Sequence, residues 1–308
     1  MEKALLEVKN LSISFQMYKK GLKKYQQQTI SDLSMEVYRE ELVAVVGSSG
    51  SGKSLLVHAI MGLLPDSAIT KGSIYYDGEK LTEERLKNLR REKIAFIPQS
   101  ISYLDPLIKV GKQVQGANRN KQSKKKQKAS FQRYDLREDF EKLYPFQLSG
   151  GMARRVLLSM VDQKEVDFII ADEPTPGLDL EMALKTLKYF REFANQGKAV
   201  LIITHDMDLA LQVADKIAIF YAGTIVEIAL VSDFKKGGEG LRHPYTKALY
   251  KALPQNDFQA LSGFQPYGQD RLSGCVFISR CKNADENCKN KISMRNLRGG
   301  RVRCCHAS

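Results

Sequence analysis

The sequence predicts an α/β fold, a parallel sheet covered by helices with a smaller antiparallel sheet beside it. Three observations carry this. Apolar runs that read as buried strands alternate with stretches that read as helices. The N-terminal stretch instead alternates apolar and polar residues, as a half-exposed sheet does. One strand runs straight into a glycine-rich loop that ends in Lys-Ser where a helix begins.

In chain order, Leu5 to Phe15 and Ser31 to Tyr38 read as antiparallel strands, and Leu42 to Val46 as the first buried one. A helix follows over Ser54 to Leu64, then a strand over Ile94 to Ile97. Between Gln99 and Leu148 the strand pattern gives way to polar, mainly helical sequence, which predicts a helical subdomain inserted at about 100–160. The buried runs resume at Phe168 to Ala171, Val200 to Thr204 and Ile217 to Phe220. Helices are expected at Gly151 to Met160, Glu181 to Asn195 and Asp208 to Asp215. From about Ser232 the composition shifts, Gly237-Gly238-Glu239-Gly240 reads as a flexible joint, and a cysteine-bearing tail follows. The expected division is a main domain of 1–231 and an extension of 232–308, with no internal repeat.

Composition bounds the function. At 308 residues and 43% apolar, the chain can bury one sizeable core and still leave a smaller unit. No run approaches the roughly 20 apolar residues of a membrane span, and MEKALLEVKN lacks the apolar centre of a signal peptide, so a cytosolic protein is expected. The net charge of +13 invites a nucleic-acid or anionic-surface reading. However, the densest basic stretch, Arg119 to Arg133, carries almost no aromatics and no RNA-binding or helix-turn-helix signature. A solvated helix face comes first for it, contact with anionic lipid second and nucleic acid last. The cysteines, Cys275, Cys281, Cys288, Cys304 and Cys305, all lie in the tail, where they cannot staple the main core. In a cytosolic protein such crowding argues for metal over disulfides, and the C-x5-C-x6-C-x16-C spacing suits iron–sulfur or tetrahedral zinc alike.

The loop Gly47-Ser48-Ser49-Gly50-Ser51-Gly52-Lys53-Ser54 matches G-x-x-x-x-G-K-[ST] in the required context of strand before and helix after. Its glycines let the backbone wrap a phosphate, its amides and the helix dipole hold the charge, Lys53 reaches the outer phosphates and Ser54 can ligate Mg2+. Asp172 and Glu173 end the strand at Phe168 to Ala171. Asp172 would hold Mg2+ through water while Glu173 polarises the water that attacks the terminal phosphate, although such a pair also caps helices. His205 ends the next buried strand, where a lone histidine is more often structural.

Leu148-Ser149-Gly150-Gly151-Met152 resembles the signature of ATP-binding cassette proteins. The phosphate loop, Gln99, this signature, Asp172-Glu173, Gly177-Leu178-Asp179 and His205 occur in the order and at spacings similar to those of a transporter nucleotide-binding subunit, over about 5–227. The resemblance implies a P-loop NTPase core of RecA type and an ATPase. It makes Gln99 a Mg2+ and coupling ligand, Glu173 the general base, Asp179 part of a loop crossing to a second cassette, and His205 a contact to the terminal phosphate. Tyr25 is the implied adenine-stacking aromatic, with Tyr18 as rival. Ser149, Gly150 and Gly151 are implied to close over ATP bound to the opposing subunit of a homo- or heterodimer.

Arg242-His243-Pro244-Tyr245-Thr246 and the tail pattern Gly274-Cys275, Arg280-Cys281, Cys288, Cys305-His306 look like the peptide and nickel uptake branch. That resemblance implies a [4Fe-4S] cluster on Cys275, Cys281, Cys288 and Cys305, with Cys304 as a substitute ligand. It also implies transmembrane permease subunits as partners, an extracytoplasmic binding protein acting indirectly, no nucleic acid, and residence on the cytoplasmic face of the membrane. Leu104-Asp105-Pro106-Leu107 and Pro174-Thr175-Pro176 lean towards a nickel or metal-chelate cargo, with oligopeptides or dipeptides as the alternative. A soluble cassette protein acting on ribosomes or DNA is the rival from another class. Two departures stand out: Ala153-Arg154-Arg155 follows the signature where a glutamine usually sits, and Glu40-Glu41 replaces the usual Gly-Glu.

Overall fold

The computed structural model describes residues 3–18, 24–117, 119–266 and 274–307. Two long strands open it, β1 (Leu6–Tyr18) and β2 (Lys24–Val37), followed by β3 (Leu42–Val46) and α1 (Lys53–Met61). Next come β4 (Ala68–Tyr76), β5 (Glu79–Lys80), α2 (Glu83–Glu92) and β6 (Ile94–Ile97). The helical insertion holds α3 (Val110–Gln115), α4 (Lys121–Arg133) and α5 (Gly150–Asp162). The chain returns through β7 (Phe168–Asp172), α6 (Leu180–Asn195), β8 (Ala199–Thr204), α7 (Met207–Leu211), β9 (Lys216–Tyr221) and β10 (Thr224–Leu230). The extension contributes α8 (Pro244–Lys251) and a small hairpin, β11 (Arg295–Leu297) and β12 (Gly300–Val302).

The larger sheet has the order β11-β12-β10-β9-β3-β8-β7-β6, and its five strands from β9 to β6 are parallel. The smaller sheet, β2-β1-β4-β5, is antiparallel. Every residue of β3 is buried, and successive side chains enter opposite cores: Val43 and Val45 pack with α1 and the antiparallel sheet, Ala44 and Val46 with the opposite layer. That two-sided burial is why the strand reads as an unbroken apolar run. A third body of apolar residues joins α5 and α6 to Phe131 and Tyr134 of the insertion.

The basic run lies mostly on α4, which Asn120 caps through the Ser123 amide. Its lysines face outward while Gln127, Ser130 and Phe131 turn inward. Among the described residues no helix is long and apolar enough to cross a membrane.

Three local expectations change. β2 begins at Lys24 rather than Ser31, because the polar run Gln26-Gln27-Gln28 pairs with β1 as a ribbon projecting beyond the core. The glycine joint is packed rather than loose: a side chain on Gly240 would fall 2.6 Å from Asp233 Cα. The tail does not hang apart either, since β12 pairs with β10 and extends the main sheet.

Arg242 explains that attachment. Its guanidinium, shielded completely from solvent, donates to Glu227 at 3.3 Å, to Asp233 at 2.8 Å and to the carbonyls of Leu297 and Arg298 at 2.7 and 2.5 Å. The adjoining His243 is fully buried, caps α8 by accepting from the Tyr245 amide, and is held neutral by burial, its pKa drawn down to about 3. The Arg-His-Pro-Tyr-Thr segment is thus a clamp between β10 and the hairpin.

Candidate active site

The carboxyl ends of β3, β8, β7 and β6 are neighbours in the sheet, so the residues that follow those strands share one edge. Open α/β sheets bind ligands at this position. The phosphate loop follows β3, His205 follows β8, Asp172 and Glu173 end β7, and Gln99 follows β6. A cleft of about 490 Å³ opens there, lined by Ser49, Gly50, Gly52, Lys53, Ser54, Gln99 and Glu173, and by Phe15, Met17, Gln27 and Thr29 of the antiparallel sheet.

Gly47 has no room for a side chain: a Cβ would sit 2.4 Å from the Phe220 carbonyl oxygen. This close approach lets the loop turn at the end of β3 and aim the start of α1 into the cleft. Lys53 is buried, and its ammonium donates to the carbonyls of Gly47 and Ser48 at 2.7 and 2.9 Å while lying 4.0 Å from Glu173 Oε1. Burial draws its pKa below the usual lysine range, opposed by Glu173 and Asp172. Burial likewise raises Asp172 above the ordinary carboxylate range, countered by a hydrogen bond with Ser54. Asp172 Oδ1 has no partner in the protein, nor does the hydroxyl of Ser51. An orphaned buried carboxylate oxygen beside a serine hydroxyl fits the oxygen preference of Mg2+.

Glu173 is nearly covered and adopts φ of 47°, an uncommon value for a non-glycine residue. Its amide donates to the Ile203 carbonyl at 2.9 Å, and its carboxylate meets His205 Nδ1 at 2.8 Å. Glu173, in the cleft wall, therefore links Lys53 on one side to His205 on the other.

Arg154, the residue at the departure beside the signature, also belongs to this centre. It is buried, and from α5 it donates to the carbonyls of Glu173 at 2.9 Å, Pro176 at 3.3 Å and Gln99 at 3.4 Å. One guanidinium thus ties the signature helix to both acid-bearing and glutamine-bearing loops. Its sequence signal was the departure itself, an arginine pair where a glutamine usually follows the signature.

The remaining expected residues lie elsewhere. Ser149 caps α5 by accepting from the Met152 amide, and it and Gly150 are exposed. Asp179 caps α6 through the Met182 amide. Neither the signature nor Asp179 lines the described cleft. Tyr25 is half-buried on β2 opposite Met17, one step beyond the Phe15–Gln27 pair on the same face, so the aromatic lining the cleft itself is Phe15. Tyr18 is largely exposed. Ser48 donates to Gln265 of the extension at 2.9 Å, a contact no motif announced.

In the tail, Cys275 is buried next to Cys304, Cys288 and Cys281, and burial pushes its thiol up to about 11. Cys305 stands apart, exposed and grouped with Asp285, Cys288 and His306. Its sulfur is 3.5 Å from that of Cys288. The cysteines thus gather in one part of the extension, with Cys305 at its exposed rim.

Fold and site together define a P-loop ATPase of the ATP-binding cassette class. The ABC transporter family model matches residues 30–176, and the oligopeptide/dipeptide transporter C-terminal region matches 226–288. The dipeptide transport ATP-binding protein DppD of Bacillus subtilis is 34% identical over 92% of this chain and 88% of its own length. The oligopeptide transport ATP-binding protein OppD of Lactococcus lactis is 33% identical, over 94% and 89%. Among solved structures, the dimeric bacterial ABC transporter cassette MJ0796 superposes with a TM-score of 0.64 at 25% identity, covering 73% of this chain and 98% of that one. The chain belongs to the ABC transporter ATP-binding proteins, in the branch that carries the oligopeptide/dipeptide transporter C-terminal region. It is the ATP-hydrolysing subunit of an importer.

Proposed function

We propose that this subunit energises uptake of short peptides through separate permease subunits. The observation that carries the cargo is the near full-length similarity to dipeptide and oligopeptide transport ATPases, which includes the C-terminal region as well as the cassette. Nickel or a metal chelate, the other cargo anticipated from the sequence, draws no support from those relatives. On this reading residues 1–231 are the cassette and 232–308 the extension. The protein sits on the cytoplasmic face of the membrane against its permeases, a binding protein delivers cargo from outside, and nucleic acid plays no part.

In the site, the loop amides of Gly47 to Ser54 and the Lys53 ammonium hold the outer phosphates. Ser54, Gln99 and Asp172 would hold Mg2+, which when bound neutralises charge on the transferring phosphoryl group. Glu173 accepts the proton of the attacking water, and His205, on the same carboxylate, contacts the terminal phosphate. Phe15 and Tyr25 offer one aromatic face for adenine. The cleft contains no signature residue, while Ser149 and Gly150 stand exposed. That division supports a head-to-tail dimer in which Ser149, Gly150, Gly151 and Asp179 complete the site of a second cassette, and hydrolysis loosens the interface. The iron–sulfur cluster implied by the sequence resemblance draws no support from the relatives' names, and no step runs through it.

Uptake of labelled dipeptide and of labelled nickel, measured in cells carrying the wild-type chain or Lys53→Ala, tests the cargo. Loss of dipeptide uptake alone is expected; loss of nickel uptake alone would overturn the reading.

A further inference from the structure

The helical insertion carries a charge imbalance that nucleotide chemistry does not use. Between Pro106 and Tyr134 the sequence holds nine lysines and arginines and no aspartate or glutamate. Among the described residues of that stretch, Lys128 and Arg133 alone meet a carboxylate, Glu138 at 3.1 Å for the first and Asp162 and Glu192 at 2.7 Å for the second. The other acids of the neighbouring turn are engaged elsewhere, Asp139 with Arg137 and Glu141 with Gln127. Lys121, Lys124, Lys125 and Lys126 therefore stand exposed on α4 with their charges unmatched. None of them lines the nucleotide cleft.

Apolar side chains protrude beside these cations. Leu107, 85% exposed, shares a shallow cavity of about 190 Å³ with Tyr144, Lys109, Lys112 and Arg119, the last just ahead of α4. Tyr144 stacks on Phe146, whose ring is 74% exposed. Cations around protruding apolar tips suit a lipid surface, where ammonium groups meet headgroup phosphates and the tips enter the boundary beneath them.

We propose that α4 and the Leu107 cavity beside it form a docking surface for anionic lipid headgroups.

The inference rests on the reading of the chain as a subunit seated against permeases, which places it next to a cytoplasmic leaflet whose anionic lipids attract basic segments. Three features favour lipid over nucleic acid or an acidic protein loop. The unmatched cations of α4 are all lysines, compact point charges without the planar fork that clasps a carboxylate or a base edge. The exposed face of α4 has no aromatic ring for a base to stack on, since Phe131 is buried. That face is also the convex outside of a 13-residue helix, about 20 Å long, which matches a plane better than a groove-bound peptide.

The test is flotation of the full, untagged chain with vesicles of phosphatidylcholine alone or with about a third phosphatidylglycerol. Binding to the anionic vesicles is expected at about 0.1 M salt, with little on the neutral ones and loss at about 0.5 M. Lys121→Gln and Lys125→Gln should each weaken binding about fivefold, and the variant with Lys121, Lys124, Lys125 and Lys126 all changed to Gln by at least about 100-fold. A charge-matched variant with Lys87, Lys188, Lys235 and Lys247 changed to Gln should bind as the wild type does. No binding to anionic vesicles, equal binding to neutral ones, undiminished binding by the α4 variants, or an equal loss in the charge-matched variant would each overturn the proposal. So would tighter binding of α4 to single-stranded RNA than to the vesicles. Absent vesicle binding alongside dipeptide uptake that requires Lys53 would sink this inference alone. Lysine-dependent vesicle binding with uptake indifferent to Lys53→Ala would uphold it and sink the transport reading instead.

Discussion

Arg242→Met should detach the extension. In the fold its guanidinium reaches two carboxylates and two carbonyls, and both it and Glu227 are wholly shielded from solvent. Removing the guanidinium leaves the Glu227 carboxyl in the interior with only the amides of Arg242 and His243 as donors, at 2.9 and 2.8 Å. Breaking a buried pair from one side costs about 3–5 kcal/mol, and each stranded carbonyl adds about 1 kcal/mol where water cannot reach it. A net loss of about 5–7 kcal/mol is therefore expected, a large share of the roughly 5–15 kcal/mol typical of a native protein. Urea unfolding followed by circular dichroism measures it, and limited proteolysis should release the hairpin first. The double variant with Glu227→Gln removes the uncompensated charge, so it should recover about 2 kcal/mol of the loss. A single-variant loss below about 1 kcal/mol, or no recovery in the double variant, would refute the clamp.

Three further outcomes follow from the site and its support. Arg154→Met, which frees the Gln99 and Glu173 loops, should lower ATP turnover about 100-fold while changing ATP affinity little; unchanged turnover in a phosphate-release assay counts against the positioning role. His243 is neutral when buried and ordinary when unfolded, so the unfolded state alone takes up its proton below about pH 6.5. Stability should therefore fall by about 1.4 kcal/mol per pH unit as pH drops from 6.5 towards 3, with no contribution above 6.5. Between pH 7 and 5 the wild type should lose about 2 kcal/mol more than His243→Asn, which keeps the acceptor for Tyr245 and lacks the titration; parallel curves would exclude it. Phe15→Ala should weaken ATP binding by about 1–3 kcal/mol, and Tyr25→Ala by less, in nucleotide titrations; the reverse order would place adenine further out along the ribbon.

The parallel core was legible because its strands are buried on both faces, so 42–46 and 168–171 announce themselves as apolar runs. The phosphate loop, Asp172, Glu173 and His205 were legible because each follows such a strand, and strand order then brings them together. What escaped depends on partners distant in sequence. The Gln26–Gln28 stretch of β2 carries no apolar pattern and is strand only because β1 lies beside it. β12 is three residues long and exists through its pairing with β10, some seventy positions earlier in the chain. Arg154 looked like a mere departure from a motif until its three carbonyl partners were in view. Cys305 fitted a spacing pattern of four thiols, and only the folded tail pairs it with Asp285 and His306.

The central claim is that Glu173, against Lys53 and His205, activates the water that cleaves ATP. Glu173→Gln preserves size and the cleft but removes the proton acceptor, so it tests that claim most directly. Nucleotide titration and phosphate release on the same preparation should show ATP bound with near wild-type affinity and turnover lowered by at least about 100-fold. Phosphate release at the wild-type rate with ATP bound would contradict the account.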